Sequence, residues 1–214
     1  MNAEQRQHLI AITKELASTD DRAHDFAHLY RVLCMAERIA TEEHADMDVV
    51  IPAALWHDIV IYAKNDPRSK EASIHSAAKA RELLTGLDWY PQDKIDAVEH
   101  AITRCSFSKN LPKDAIEQYI IQDADLLEST GAIAVVRTFT SGAQMNRPFY
   151  DLDDPEAKGR AFDAFANSLD LFPSRLFIVP ERLYTQTAKK IGKERDAFVR
   201  LFYQQFVKEI SGQG

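Results

Sequence analysis

A helix that is apolar on nearly every side must be buried on nearly every side, and residues 46–62 form such a segment. Val49, Val50, Ile51, Ala53, Ala54, Leu55 and Trp56, with Ile59, Val60 and Ile61 behind them, leave little room for a solvent-facing stripe. The remaining chain must therefore wrap around this element. It is suited to do so, because its apolar residues recur at spacings of three and four and only seven glycines and eight prolines interrupt the 214 residues.

The same periodicity predicts helices over Ala3–Ala17, Asp25–Glu43, Asp46–Tyr62, Lys70–Leu84, Asp93–Cys105, Asp114–Ser129, Ala132–Gln144, Pro155–Leu171 and Glu181–Ile210. Gly131 fits a helix C-terminus. No convincing strand is present, so the expected fold class is all-α. The length suits one domain over residues 1–214, with a core near 20–145 and a C-terminal helical layer near 155–211. The acidic stretch Asp151-Leu152-Asp153-Asp154-Pro155 would join them, without the composition of a flexible linker.

The longest apolar run, Val49–Trp56, is far shorter than the ~20 residues that span a bilayer. The N-terminal residues carry no secretory or transit pattern, so a cytoplasmic protein without a membrane partner is expected. Cys34 and Cys105 form no disulfide framework and are expected to be buried thiols. A net charge of −7 argues against a long nucleic acid as partner, since that binding needs a basic surface. A small phosphorylated ligand is compatible with it, because a short basic cluster such as Lys64, Arg68 and Lys70 can serve one ligand. Oligomeric state is not readable from the pattern, since an exposed apolar patch is a property of the folded surface.

Chemistry enters through polar residues in apolar company. His28 shares a stripe with Val32, Met35 and Ile39, so it points inward, where a lone histidine is equally at home on a backbone carbonyl. His57-Asp58 lies among Ala54, Leu55, Trp56 and Ile59, where an ionised carboxylate is costly unless paired or metal-bound. An arginine would satisfy Asp58 but leave the adjacent histidine unexplained, whereas a divalent cation accounts for both. Asp123 and Asp125 repeat the pattern beside Ile120, Ile121, Leu126 and Leu127, with a solvated helix face as the alternative. Two histidines and two carboxylates make a mixed nitrogen and oxygen set suited to manganese, iron, zinc and similar ions.

The order His28, His57-Asp58, Asp125 resembles that of the HD superfamily of metal-dependent phosphohydrolases. The resemblance extends to a branch of small bacterial HD hydrolases through His24-Asp25-Phe26-Ala27-His28, His57-Asp58-Ile59-Val60 with Lys64-Asn65 and Pro67, Ser106-Phe107-Ser108, and Gln122-Asp123-Ala124-Asp125 followed by Gly131-Ala132-Ile133. It covers residues 20–145 and, more loosely, Thr187-Ala188 to Phe206. It implies a helical bundle around one divalent ion, manganese in the first place and Mg2+, Fe2+, Co2+, Ni2+ or Zn2+ as alternatives. The implied ligands are His28, His57, Asp58 and Asp125. Asp123 would stand behind them and help move protons, together with Asp58 or a residue such as His100. His24, Lys64, Asn65, Arg68, His100 and Lys109 are candidates for substrate contact. Cys105 stands where the branch has a second histidine, Leu126 where it has an arginine, and the C-terminal half lacks the branch's His-Phe-x-x-Lys pattern.

The resemblance therefore implies a phosphohydrolase acting on a nucleotide or similar phosphate ester or anhydride, including nucleoside triphosphate pyrophosphohydrolysis or phosphodiester cleavage. The departures at Cys105 and Leu126 motivate a second reading, a non-catalytic module that binds metal and nucleotide. A third, oxidative cleavage at a di-iron site, would need further inward ligands, for which His75 and His100 are the available residues.

Overall fold

The computed structural model describes residues 1–17, 25–62, 66–106 and 111–213, and among these it contains helices and turns but no strand. The helices are α1 (Ala3–Leu16), α2 (Phe26–Glu42), α3 (Met47–Trp56), α4 (Ala72–Thr85), α5 (Ile95–Arg104), α6 (Ile116–Leu126), α7 (Gly131–Gln144), α8 (Leu171–Ser174) and α9 (Gln186–Ile210). Among the described residues no helix is long and apolar enough to cross a membrane. The chain divides into two compact units, residues 1–125 and 126–214.

The first unit is organised by α3, which packs against α1, α2, α4 and α5. Every residue from Val49 to Trp56 is buried, as the all-round apolar pattern requires. Pro52 is accommodated in the second turn, and Asp46 caps the start by accepting from Asp48 N. Trp56 is wholly buried and donates its indole N–H to Thr13 Oγ1 at 2.9 Å, which ties α3 to α1. The helix stops at Trp56, with His57 as its C-cap, instead of running to Tyr62. Residues after it turn back, and Val60 N donates to the buried Ser76 hydroxyl of α4 at 3.1 Å. That bond replaces the helical ladder.

Other expected boundaries shift for local reasons. A 3-10 turn at Pro67–Glu71 precedes α4, and another at Gln92–Lys94 precedes α5. α6 starts at Ile116 and gives way to a 3-10 turn at Leu127–Ser129. Gly131 opens α7 instead of closing a helix before it. It stands at φ +67, a conformation that side chains other than glycine rarely adopt, and a Cβ there would lie 3.3 Å from the Arg195 stem. Cys105 is buried as expected, but Cys34 is exposed, because it falls between the inward positions of α2.

In the second unit the expected helix at Pro155–Leu171 is replaced by side-chain-capped turns and the short α8. Asp154 accepts from the amides of Lys158 and Gly159, and Asp163 from those of Phe165 and Ala166. Such local bonds compete with the helical ladder and win where aspartates are dense. α9 begins at Gln186, where Thr185 accepts from Ala188 N, and residues 176–182 before it form a 3-10 segment containing Pro180. The core of this unit is Ala134, Leu169, Phe172, Leu176 and Val199. Phe139, Phe202 and Phe206 pack around it, with Phe172 and Phe202 stacked at 5.8 Å and Phe139 and Phe206 at 5.5 Å.

Asp170 is buried and accepts from Arg160 Nη2 at 3.0 Å, from Arg160 Nη1 and from Asp163 N at 2.8 Å. Burial pushes its carboxyl toward the neutral form, but these bonds outweigh burial and hold its pKa below the ordinary carboxylate value. A depressed native pKa stabilises the fold above the unfolded value of about 3.9, and that contribution is lost as pH falls through the native value. Replacing Asp170 with Asn should cost about 3 kcal/mol in denaturant unfolding at neutral pH. The difference between wild type and variant should shrink as the pH drops below about 4.

Candidate metal centre

Three elements of the first unit deliver the candidate ligands. On α2, the Asp25 side chain accepts from His28 N at 3.0 Å and caps the helix. His28 then falls in the first turn on the buried face shared with Leu29, Val32 and Ile39. His57 sits at the end of α3 with only 1% of its surface exposed. Asp125 occupies the last turn of α6, and its side chain is 45% exposed, which leaves the cluster one open side.

His28, His57 and Asp125 each offer one ligand atom, and these atoms all lie within 4.8 Å of one another. Asp125 Oδ1 is 3.7 Å from His28 Nε2 and 3.9 Å from His57 Nε2. The two imidazoles are 5.5 Å apart between centroids, with their planes at 61°. Distances near 3.8 Å are too long for hydrogen bonds. They match the roughly 3–4 Å that separates two donors each about 2.1 Å from a shared ion.

The orientation of His57 is set from its other nitrogen. Nδ1 lies 2.8 Å from the Ala54 carbonyl, which can only accept, so Nδ1 carries the proton and Nε2 presents a lone pair. Nε2 is buried and has no hydrogen-bond partner. A buried acceptor without a donor is costly in water-free surroundings unless a cation meets it. The donor set therefore fits a divalent ion.

Asp58 is adjacent but outside this triangle. Its Oδ2 is 3.8 Å from His57 Nε2, its side chain is 30% exposed, and it is not among the three residues whose ligand atoms are mutually close. Asp123, on the same helix as Asp125, is completely buried. Cys105 caps the end of α5, and its thiol donates to Ile102 O at 3.1 Å. Burial first, and then the charges of Asp58 and Asp125, push its pKa up.

The substrate-contact candidates are dispersed. Arg68 is exposed, paired with Asp66 through Nε at 3.1 Å and Nη2 at 2.7 Å, and stacked 4.7 Å from the Tyr62 ring centroid. His100 is exposed on α5, the helix that also carries Asp96. His75 accepts from or donates to the Tyr62 hydroxyl at 2.8 Å and is not part of the cluster. His24, Lys64, Asn65 and Lys109 lie outside the described residues.

One residue near the centre, Ser76, is not among the candidates drawn from the sequence. Ser76 is fully buried and clasps Val60, two residues beyond Asp58, by accepting from its N–H and donating to its carbonyl at 3.3 Å. Its signal is a small hydroxyl on the inward Ser73, Ser76, Ala77, Ala80 and Leu84 face of α4.

Residues 25–130 match the model of the HD domain family. The chain is 28% identical over 203 residues to the uncharacterized protein YpgQ of Bacillus subtilis, covering 93% of this chain and 90% of that one. The crystal structure of YpgQ in complex with ADP superposes with a TM-score of 0.72 at 26% identity, covering 98% of this chain and 100% of that chain. A crystal structure of an HD-superfamily hydrolase from Bacillus thuringiensis gives a TM-score of 0.73 at 26% identity, with 98% of both chains covered. A helical fold with histidines from two helices and an aspartate from a third meeting at one point, carried on a segment that matches this domain, places the chain in the HD superfamily.

Proposed function

We propose that the chain is a divalent-metal-dependent phosphohydrolase acting on a nucleotide or another small phosphate ester or anhydride. The observation that carries this reading is the His57 imidazole, which is held by Ala54 O on one side and offers a buried, unpartnered Nε2 toward Asp125 on the other. His28, His57 and Asp125 would hold the ion, with Asp58 the fourth ligand after a small rotation of its side chain from its place beside His57. When bound, a divalent cation supplies Lewis acidity, lowering the pKa of water and polarising a phosphoryl oxygen.

The chain's own groups would do the rest. The open side of Asp125 gives a substrate access to the cluster, while the wholly buried His28 and His57 exclude water behind it. Asp123, buried on α6, would orient neighbouring polar groups and accept a proton. The ADP bound to the similar YpgQ supports a nucleotide as ligand. Manganese is the expected ion because the set His28, His57 and Asp125 is nitrogen and oxygen without thiolate.

Two measurements bear on this reading. In thermal unfolding, Mn2+ at about 100 times its Kd should add about 2.7 kcal/mol. Asp125→Ala and His57→Ala should respond no more than to Mg2+ or Mn2+ added to an unrelated helical protein. With nucleoside mono-, di- and triphosphates and p-nitrophenyl phosphate esters, phosphate and pyrophosphate release should require the metal. It should fall about 100-fold or more in Asp58→Ala and Asp125→Ala. Metal-dependent ADP binding without turnover on any of these compounds would instead favour a binding module, the role to which the Cys105 and Leu126 departures point.

A further inference from the structure

His57 and Asp58 stand at the two corners of one tight turn. Ile59 N donates to the Trp56 carbonyl at 3.3 Å, three residues back, which closes the chain around the pair. His57 has φ −59 and ψ −32, the values of the first corner of a type I turn. Its ring is fixed separately, by the Ala54 carbonyl. Asp58 has no such arrangement with its neighbour, because its Oδ2 lies 3.8 Å from His57 Nε2, beyond hydrogen-bond distance. The place of this carboxylate therefore follows from the backbone of the turn beneath it.

That backbone is held on its far side by one hydroxyl. Because Ile59 has taken the Trp56 carbonyl, the amide of Val60 is left without its helical acceptor, and it donates instead to Ser76 Oγ at 3.1 Å. The same hydroxyl donates to the Val60 carbonyl at 3.3 Å. Ser76 is wholly buried on α4, which packs against α3 and α5, so the hydroxyl projects from a fixed wall. Both backbone groups of the residue two positions beyond Asp58 thus end on one side chain of another helix.

We propose that Ser76 is a positioning residue of the metal centre. By holding both backbone groups of Val60 it fixes the turn that carries Asp58, and so sets how this carboxylate approaches an ion held by His28, His57 and Asp125. The inference rests on the phosphohydrolase reading, in which Asp58 is the fourth ligand, and adds to it the group that holds that ligand in place. Without the hydroxyl, the amide and carbonyl of Val60 must find other partners, and the turn shifts as they do. His57, bonded to its own helix, stays where it is.

The test is calorimetric titration of the full metal-free chain with Mn2+, in wild type, Ser76→Ala, Asp58→Asn and the double variant, with thermal unfolding and helical content measured on each before metal is added. Ser76→Ala should keep its helical content and bind Mn2+ about 10-fold more weakly, the effect of removing a group that orients a ligand. In the Asp58→Asn background the further loss should stay under about 3-fold, because the carboxylate that Ser76 places is already gone. Ser76→Cys, which keeps a weaker donor in a similar volume, should fall between wild type and Ser76→Ala. Leu84→Val, buried about two turns farther along α4, should lower the unfolding temperature and leave Mn2+ affinity within about 3-fold of wild type, which separates positioning from general loosening. Mn2+ affinity changed less than about 3-fold by Ser76→Ala, or an equal loss in the presence and absence of the Asp58 carboxylate, would overturn this inference alone. Absence of Mn2+ binding by wild type, or binding undiminished by Asp58→Asn, would overturn the ligand set of the phosphohydrolase reading and this inference with it.

Discussion

The bond from His57 Nδ1 to the Ala54 carbonyl is the contact on which the centre depends. It uses an acceptor left over at the end of α3, where the last carbonyls have no amide of the next turn to receive. The helix terminus thereby becomes the device that sets the tautomer of the histidine. Had α3 continued through residue 58, the Ala54 carbonyl would have been taken by the amide at position 58, and the imidazole would be free to rotate. Ending the helix at Trp56 is thus a condition for directing Nε2 toward Asp125.

That termination needs support from outside the helix. α3 is buried on all sides because α1, α2, α4 and α5 surround it, so its position is defined by packing and not by its own propensity. Trp56 bonds Thr13, and Ser76 receives the chain at Val60. The His57 and Asp58 pair lies between these two anchors. Asp125 arrives from α6, whose buried residues Ile120, Ile121 and Ala124 keep its last turn pressed into the same unit. The histidines are buried and the carboxylates of Asp58 and Asp125 are partly exposed, an arrangement in which the nitrogen donors are rigid and the oxygen donors can adjust.

Residues 126–214 obey different rules. Their core is built around Phe172, with Phe139, Phe202 and Phe206 packed against it. The segment 151–170 holds its shape through aspartates bonded to nearby amides and through the Arg160 to Asp170 pair. Such a segment can be ordered without a repeating ladder, because each carboxylate satisfies several backbone donors at once.

The sequence by itself determined the helical class, the burial of residues 49–56, and the inward placement of His28 and His57, because periodicity and the cost of burying polar groups are local properties. It did not determine where α3 stops, since the apolar run continues through Ile59, Val60 and Ile61, and only Ser76 on another helix draws the chain away. Nor could it separate Pro155–Leu171 from a helix, because the winning bonds there depend on which amide each aspartate reaches. Arg68 had the right chemistry for a substrate, but its partners, Asp66 and Tyr62, were chosen by geometry. His28, His57 and Asp125 come within 4.8 Å of one another only when α2, α3 and α6 are brought together, and proximity between residues distant along a chain belongs to tertiary structure.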